Sequence, residues 1–388
     1  MPRNLVICCD GTNNQFGTEN TNVIRLIQVL DRDPGKQLLY YDPGVGTLPG
    51  PNAFSHVQKW ISKVSGLAFG TGLARKVGEA YGYLMEVWEP DDRVYLFGFS
   101  RGAYTVRVLA GLLHSLGLLP RGNANLVPYV LRLFESVRDG DPDKPHSGSN
   151  YWDLCDSFRH TFARAVGAGD DERRFPVHFL GVWDTVSSYG WVYNPKTFPF
   201  TRTNPSIGAV RHAVSIDERR WFFRQNLINQ APDQVFQQQW FPGVHCDVGG
   251  GYPESDGGLW REPFLWMLQG ARDAKLGVDN HRLAELLDRP PVSEIPWSDM
   301  LHNSLTLRWW LAEFFPKYAW QSATRKQRLK IGLFRPRTIK EGAILHRSAL
   351  QRIRLTHGYE PENLSVGFRQ RVQSIKNGDL PESMAYSP

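Results

Sequence analysis

The stretch Arg93-Val-Tyr-Leu-Phe-Gly-Phe-Ser-Arg-Gly102 runs directly into Ala103-Tyr-Thr-Val-Arg-Val-Leu-Ala-Gly-Leu-Leu113. The first part is an apolar run of strand length and the last an apolar helix, with Gly-Phe-Ser-Arg-Gly between them. That is the context a G-x-S-x-G nucleophile elbow requires. Gly98 and Gly102 flank a turn so sharp that side chains there would collide with the strand or the helix. Ser100 is then lifted out at the strand tip, its hydroxyl at the positive end of the following helix. A tight structural turn that happens to contain serine has the same pattern, so the decision rests on the rest of the chain.

Upstream, Asn4-Leu-Val-Ile-Cys-Cys-Asp10 is a continuous apolar run ending in Asp-Gly-Thr, as expected of a parallel strand buried on both faces. Thr21 is placed to cap a helix whose Val23, Ile24, Ile27 and Leu30 follow helical spacing. Gln37–Asp42 reads as a second strand and 71–88 as a helix. Downstream, Phe175-Pro-Val-His-Phe-Leu-Gly-Val-Trp-Asp184 is another apolar strand ending in a carboxylate, and Gln237–His245 leads into Cys-Asp-Val-Gly-Gly-Gly-Tyr252. Helical stretches are expected at 263–274 and 305–315. The order β-α-β-α-β-elbow-α predicts an α/β, α/β-hydrolase-like fold with a mostly parallel, doubly wound sheet. The whole of 1–388 reads as one such domain, with candidate cap insertions at 118–174 and 187–205 and a basic segment at 321–388 packed on or flanking the core.

A serine hydroxyl attacks at neutral pH only if a base removes its proton, and the base works best as an imidazole oriented by a buried carboxylate. Three strand ends offer these groups in the order Ser100, Asp184, His245, the order of α/β-hydrolases. His302 and His346 are rival bases, while His56, His114, His160, His178 and His212 read as structural. Cys246, beside His245, is set aside as a nucleophile on the expectation that adjacent strand residues face opposite ways. The oxyanion hole needs two backbone donors. One is expected from Arg101, after the nucleophile, and the other from Gly11 or Thr12, in the loop after the strand two before the elbow strand. That count equates the first strand with the usual third strand of the fold. Asp10, Asp42 and Asp247 also lie at strand ends, a possible Mg²⁺ or Ca²⁺ set. Structural roles are favoured for Asp10 and Asp247, and neither a metal nor a cofactor is predicted.

The bulk composition is that of an ordinary globular protein: 388 residues, 41% hydrophobic, 22% charged, net charge +6. From Gln321 onward there are 13 Lys and Arg against 5 Asp and Glu, so the rest of the chain is slightly acidic. This basic tail suits contact with an anionic membrane surface, with a solvated basic face as the plainer reading. Nothing in the chain resembles a nucleic-acid module, so a nucleic-acid partner is not expected. The four cysteines form no C-x-x-C pair and indicate neither zinc nor a disulfide framework. With no leader-like N-terminus and no apolar run near the roughly 20 residues of a membrane span, a cytoplasmic protein is expected.

Cys-Asp-Gly-Thr-Asn-Asn at 9–14, Tyr-Asp-Pro-Gly-Val-Gly-Thr at 41–47 and Gly-Phe-Ser-Arg-Gly-Ala-Tyr at 98–104 resemble the DUF2235 α/β-hydrolase family. So do Gly-Val-Trp-Asp-Thr-Val at 181–186, Ala-Val-Ser-Ile-Asp-Glu-Arg-Arg at 213–220 and Phe-Pro-Gly-Val-His-Cys-Asp-Val-Gly-Gly-Gly-Tyr at 241–252, with Leu-His-Asn-Ser at 301–304 and His-Arg-Ser-Ala at 346–349. That family includes the catalytic domain of Tle1-type phospholipase effectors of type VI secretion. The resemblance implies Ser100 as nucleophile, Asp184 as acid and His245 as base, and ester hydrolysis with glycerophospholipids as the best-known substrates. The leading expectation is a serine hydrolase acting on a lipid-like ester. The alternatives are a soluble carboxylesterase or thioesterase on a small acyl substrate, or a non-catalytic lipid- or partner-binding protein on a hydrolase scaffold.

Overall fold

A computed structural model describes residues 2–11, 17, 19–44, 67–136, 147–167, 174–186, 190–191, 194–195, 198–288, 298–306, 309–310, 313–314, 317–321, 326–376 and 379–387. Eight strands form the main sheet: β1 (Asn4–Cys9), β2 (Gln37–Asp42), β3 (Arg93–Phe99), β4 (Val177–Trp183), β5 (Ile207–Ser215), β6 (Val235–Phe241), β7 (Ile344–His346) and β8 (Ser383–Ala385). Their spatial order is β8-β7-β6-β5-β4-β3-β1-β2, and every neighbouring pair is parallel except β7 with β8. The chain starts inside the sheet, pairs outward to β2, then returns to the other side of β1 at β3. The order reverses there, so the carboxyl ends of β1 and β3 form the switch point where open α/β sheets place their sites.

The apolar runs reflect burial on two faces. Leu5, Ile7 and Cys9 of β1 and Val94 and Leu96 of β3 face one helix layer, made by α2 (Leu67–Val87) and α3 (Ser100–Leu116). Val6 and Cys8, with Tyr95, Phe97 and Phe99, face the other, made by α1 (Asn22–Val29) and α7 (Arg261–Asp273). A strand buried on both sides has no polar face to alternate with, so its sequence is apolar throughout. At about 1.5–3 kcal/mol for each large side chain buried, these rows supply the main drive for folding.

Between α3 and β4 lie α4 (Val127–Glu135) and α5 (Ser147–Phe162). Their described contacts are with the α2–α3 layer: Phe134 and Phe158 join its core, and Arg159 donates to the Ser115 carbonyl near the C-terminal end of α3. Short helix α6 (His245–Gly249) follows β6. The order is completed by α8 (Asn280–Leu287), α9 (Arg347–Leu355) and α10 (Val366–Ser374). The last two pack with β7 into a third apolar cluster that includes Trp240, Leu345, Ile353 and Phe368.

The expected strand ends and elbow are found where the pattern puts them, with four differences. Helix α2 begins at Leu67 rather than at 71. The strand β5 lies in a stretch that had not been read as one. His245 opens a helix rather than ending a strand, because Gly243 at φ +111° turns the chain and the Asp247 carboxylate accepts from the Val244 N–H, closing the first turn. Of the 305–315 stretch, only 309–310 are described as helical.

Candidate active site

Register brings the site together. Cys9 is paired with Gly98, and Phe99 with Trp183, so the chain leaves β1, β3 and β4 at one level. The turn after β3 is as tight as the sequence requires. A Cβ on Gly102 would lie 2.1 Å from the Cys9 carbonyl oxygen, and one on Gly98 would lie 2.6 Å from Ala103. Ser100 is held at φ +58° and Asp184 at φ +38°, a region that non-glycine residues enter at a cost of about 1–3 kcal/mol each. Such backbone strain clusters at functional sites, where the surrounding packing over-determines it.

Ser100, Asp184 and His245, widely separated in sequence, are in hydrogen-bond contact. The Ser100 hydroxyl lies 2.8 Å from His245 Nε2, and His245 Nδ1 lies 2.5 Å from Asp184 Oδ2. All three are buried, Asp184 completely. Burial drives the imidazole below its ordinary value, against the upward pull of Asp184, so it is neutral at pH 7. With a carboxylate at Nδ1, the proton sits there and Nε2 accepts from the serine hydroxyl. Phe99 lies tilted against the ring at 4.6 Å and Phe223 meets it edge-on at 4.9 Å, so aromatic contacts hold the imidazole from two sides.

Asp184 has further partners that the sequence did not suggest. The Arg337 guanidinium donates to both carboxylate oxygens, Nη1 to Oδ1 at 2.5 Å and Nη2 to Oδ2 at 2.9 Å, and the Ser215 N–H donates to Oδ1 at 2.9 Å. Burial opposes the charge on Asp184, but Arg337 and His245 hold its carboxyl far below the ordinary carboxylate range. Glu218 forms a second buried anchor. Its Oε2 accepts from the His245 backbone N–H at 3.2 Å, while Arg220 and Ser304 donate to its carboxylate. Despite burial, Arg220 keeps Glu218 ionised, down to about 2. Arg337 carries no local signal, because its partner is 153 residues away. Glu218 lies within the 213–220 motif but had been given no role.

The other predicted residues are placed as follows. Arg101 follows Ser100 at the N-terminus of α3, where backbone N–H groups lack intrahelical acceptors. The Gly11 N–H, expected as an oxyanion donor, instead donates to its neighbour's carboxylate, Asp10 Oδ1, at 2.7 Å. Thr12 lies outside the described residues. Asp10 also accepts from the Thr21 hydroxyl at 2.6 Å, tying the loop after β1 to the cap of α1. Asp42 pairs with Lys76. Asp247 closes the first turn of α6 and faces His302 Nδ1 at 2.6 Å, so this rival base belongs to a separate pair stacked on Tyr252. His346 caps α9. Cys246 sits on α6, not on a strand, and burial pushes its thiol up to about 12, which keeps it protonated. Among the described residues, no group of three or more His, Cys, Asp or Glu side chains is arranged to hold a metal ion. No described helix is long and apolar enough to cross a membrane.

The family described as "T6SS, Phospholipase effector Tle1-like, catalytic domain" matches residues 3–270. An uncharacterized protein of Saccharomyces cerevisiae, YEL023C, is 35% identical over 242 residues, which cover 59% of this chain and 33% of that protein. A crystal structure of an uncharacterized protein from Pseudomonas aeruginosa is similar with a TM-score of 0.46 and 17% identity, over 76% of this chain and 49% of that one. The Tle1 effector bound to the VgrG spike of the Type 6 secretion system is similar with a TM-score of 0.34 and 19% identity, over 65% and 52%. The chain thus spans a third of the yeast protein and about half of each solved chain. The family match runs from β1 into α7 and takes in the elbow, Asp184 and His245. This chain therefore belongs to the Tle1-like catalytic domain family of type VI secretion phospholipase effectors.

Proposed function

We propose that the chain is a serine hydrolase that cleaves a carboxylic ester of a lipid-like substrate, of phospholipase or lipase type, at an anionic membrane surface. The observation that carries this reading is the buried contact chain Ser100–His245–Asp184. Family membership supports a lipid ester as the substrate class. His245 Nε2 takes the Ser100 proton as the hydroxyl oxygen attacks the ester carbonyl. The imidazolium that forms is stabilised by Asp184, whose charge is kept in place by Arg337 and the Ser215 amide. The alkoxide leaving group takes the proton back from His245. Water, deprotonated by the same ring, then releases the acyl group from Ser100.

The developing oxyanion is assigned to the N-terminus of α3, with the Arg101 N–H as one donor. Because the Gly11 amide is engaged by Asp10, Thr12 is the remaining candidate in that loop for the second. The test is fluorophosphonate labelling of the folded protein, with product analysis on mixed phospholipids and neutral esters. Labelling at Ser100 and release of fatty acid are expected. Ser100→Ala should remove both, lowering turnover by about 10⁴-fold or more. Retained turnover in that variant would overturn the assignment.

A further inference from the structure

On one side of His245 the aromatic contacts continue outward. Phe223, edge-on to His245, is itself met edge-on by Trp309 at 5.1 Å, and the Arg220 guanidinium lies over both rings. The next residue, Trp310, stacks on Phe334 at 5.4 Å and meets Phe314 edge-on at 5.3 Å. This cluster opens to solvent: Trp310, Phe314 and Leu333 are each 47% exposed and Ile331 is 45% exposed. Glu313, fully buried beneath it, accepts from the Trp221 and Phe334 N–H groups and so ties three chain segments together. A Cβ on Gly332 would fall 2.3 Å from the same carboxylate. The exposed apolar groups are therefore mounted on a packed base.

The sequence that follows the cluster is rich in basic residues. From Lys317 to Lys340 the sequence holds eight Lys and Arg and no Asp or Glu, and Arg337 alone of these is the buried partner of Asp184. Four of the eight, Lys317, Lys326, Arg328 and Lys330, belong to a two-stranded antiparallel ribbon, Lys317–Gln321 with Lys326–Lys330. In sequence the ribbon falls between Phe314 and Ile331. Exposed aromatic and aliphatic side chains next to an acid-free basic stretch of sequence fit the boundary of an anionic bilayer, where rings enter the headgroup–acyl region and cations meet phosphates. A protein partner would have to match the whole basic segment with acids, whereas a lipid surface supplies anions wherever the cations fall.

We infer that the Trp310–Phe314–Leu333 face, with its basic ribbon, docks the protein on an anionic phospholipid surface and presents the Ser100 site to lipid leaving the bilayer. This deepens the proposed function and rests on it. The experiment uses the full chain with vesicles of phosphatidylcholine containing phosphatidylglycerol, and with vesicles of phosphatidylcholine alone. Wild type and Ser100→Ala should co-sediment equally with the anionic vesicles, release with salt, and bind the neutral ones weakly. The variant W310S/F314S/L333N, checked for folding by its thermal melt, should lose at least about tenfold in vesicle affinity and in hydrolysis of vesicle lipid. Its turnover of a soluble short-chain ester should stay within about twofold of wild type, since the substitutions leave the elbow untouched.

Undiminished binding by the folded variant, or equal binding of wild type to neutral vesicles, would overturn the inference. So would a wild-type dimer that the substitutions dissolve, which would give the face to a second copy. Absence of ester turnover with intact vesicle binding would instead count against the hydrolase reading.

Discussion

Asp184 and Arg337 are a buried ion pair, and removing one member leaves the other charge without compensation. Arg337→Gln is therefore expected to destabilise the fold by about 3–5 kcal/mol, read from urea unfolding. It should also change the chemistry in a way that a purely structural role would not. In the native protein the Asp184 charge is shared between the guanidinium and the imidazole. Without Arg337 the Ser215 amide and the imidazole are left to share it, and it holds the imidazolium more strongly. Since the native imidazole lies below its ordinary value of 6.5, the acid limb of kcat/KM should fall below pH 6.5, and activity should be lost as the pH drops through it. In Arg337→Gln that limb should move to higher pH, and Arg337→Lys should move it less. An unshifted limb in folded Arg337→Gln would remove Arg337 from the control of His245.

Elements differ in how far their own residues define them. The strand–turn–helix at 93–116 is locally over-determined: an apolar run, two glycines and an apolar helix leave one conformation, in which Gly102 passes against the Cys9 carbonyl. Gly102→Ala places a methyl group 2.1 Å from that oxygen, inside any contact distance. We expect a loss of at least about 1–3 kcal/mol in stability, with loss of fluorophosphonate labelling as Ser100 shifts. A stable, fully labelled Gly102→Ala protein would contradict the elbow geometry. Strand β5 is the opposite case. Gly208, Arg211 and His212 break its apolar pattern, and it forms because β4 and β6 flank it in the sheet. His212 is accommodated there by Gln238 at 2.9 Å, a contact across two strands that no local pattern announces.

For the whole molecule, buried ionisable groups make stability depend on pH in a direction that can be worked out. Burial, with Arg107 adding to it, holds His212 down to about 3, and burial together with Arg347 holds His346 down to about 4. Their unfolded value is 6.5, so below it the unfolded chain binds protons that the folded one refuses, and stability falls as the pH falls. Asp184 and Glu218, both depressed, act in the same direction at lower pH. Their contribution is present above the unfolded values of 3.8 and 4.5 and is lost as the pH falls through the folded ones. Asp217 opposes them: burial raises it to about 6, so between 3.8 and 6 the folded state holds the extra proton. Burial also lowers His245 and raises Glu262, so three depressed histidines with Asp184 and Glu218 stand against Asp217 and Glu262; the urea midpoint should fall between pH 7 and pH 3, and a midpoint that rises over that range would contradict this assignment of buried charges.

The residues alone determined the strand ends, the elbow and the candidates Ser100, Asp184 and His245, because steric demands at a tight turn and burial on two faces leave their marks in neighbouring residues. They also determined that basic charge gathers near the C-terminus, since charge is additive along a chain. The tertiary structure decided what those features meet. It put Arg337 on Asp184 and Glu218 under the His245 backbone. It also recruited 344–346 and 383–385 into the sheet and stacked Trp310 on Phe334 at the surface. These are contacts between residues far apart in sequence, and the pairing energy of a buried charge or an aromatic face depends on the partner the fold brings to it.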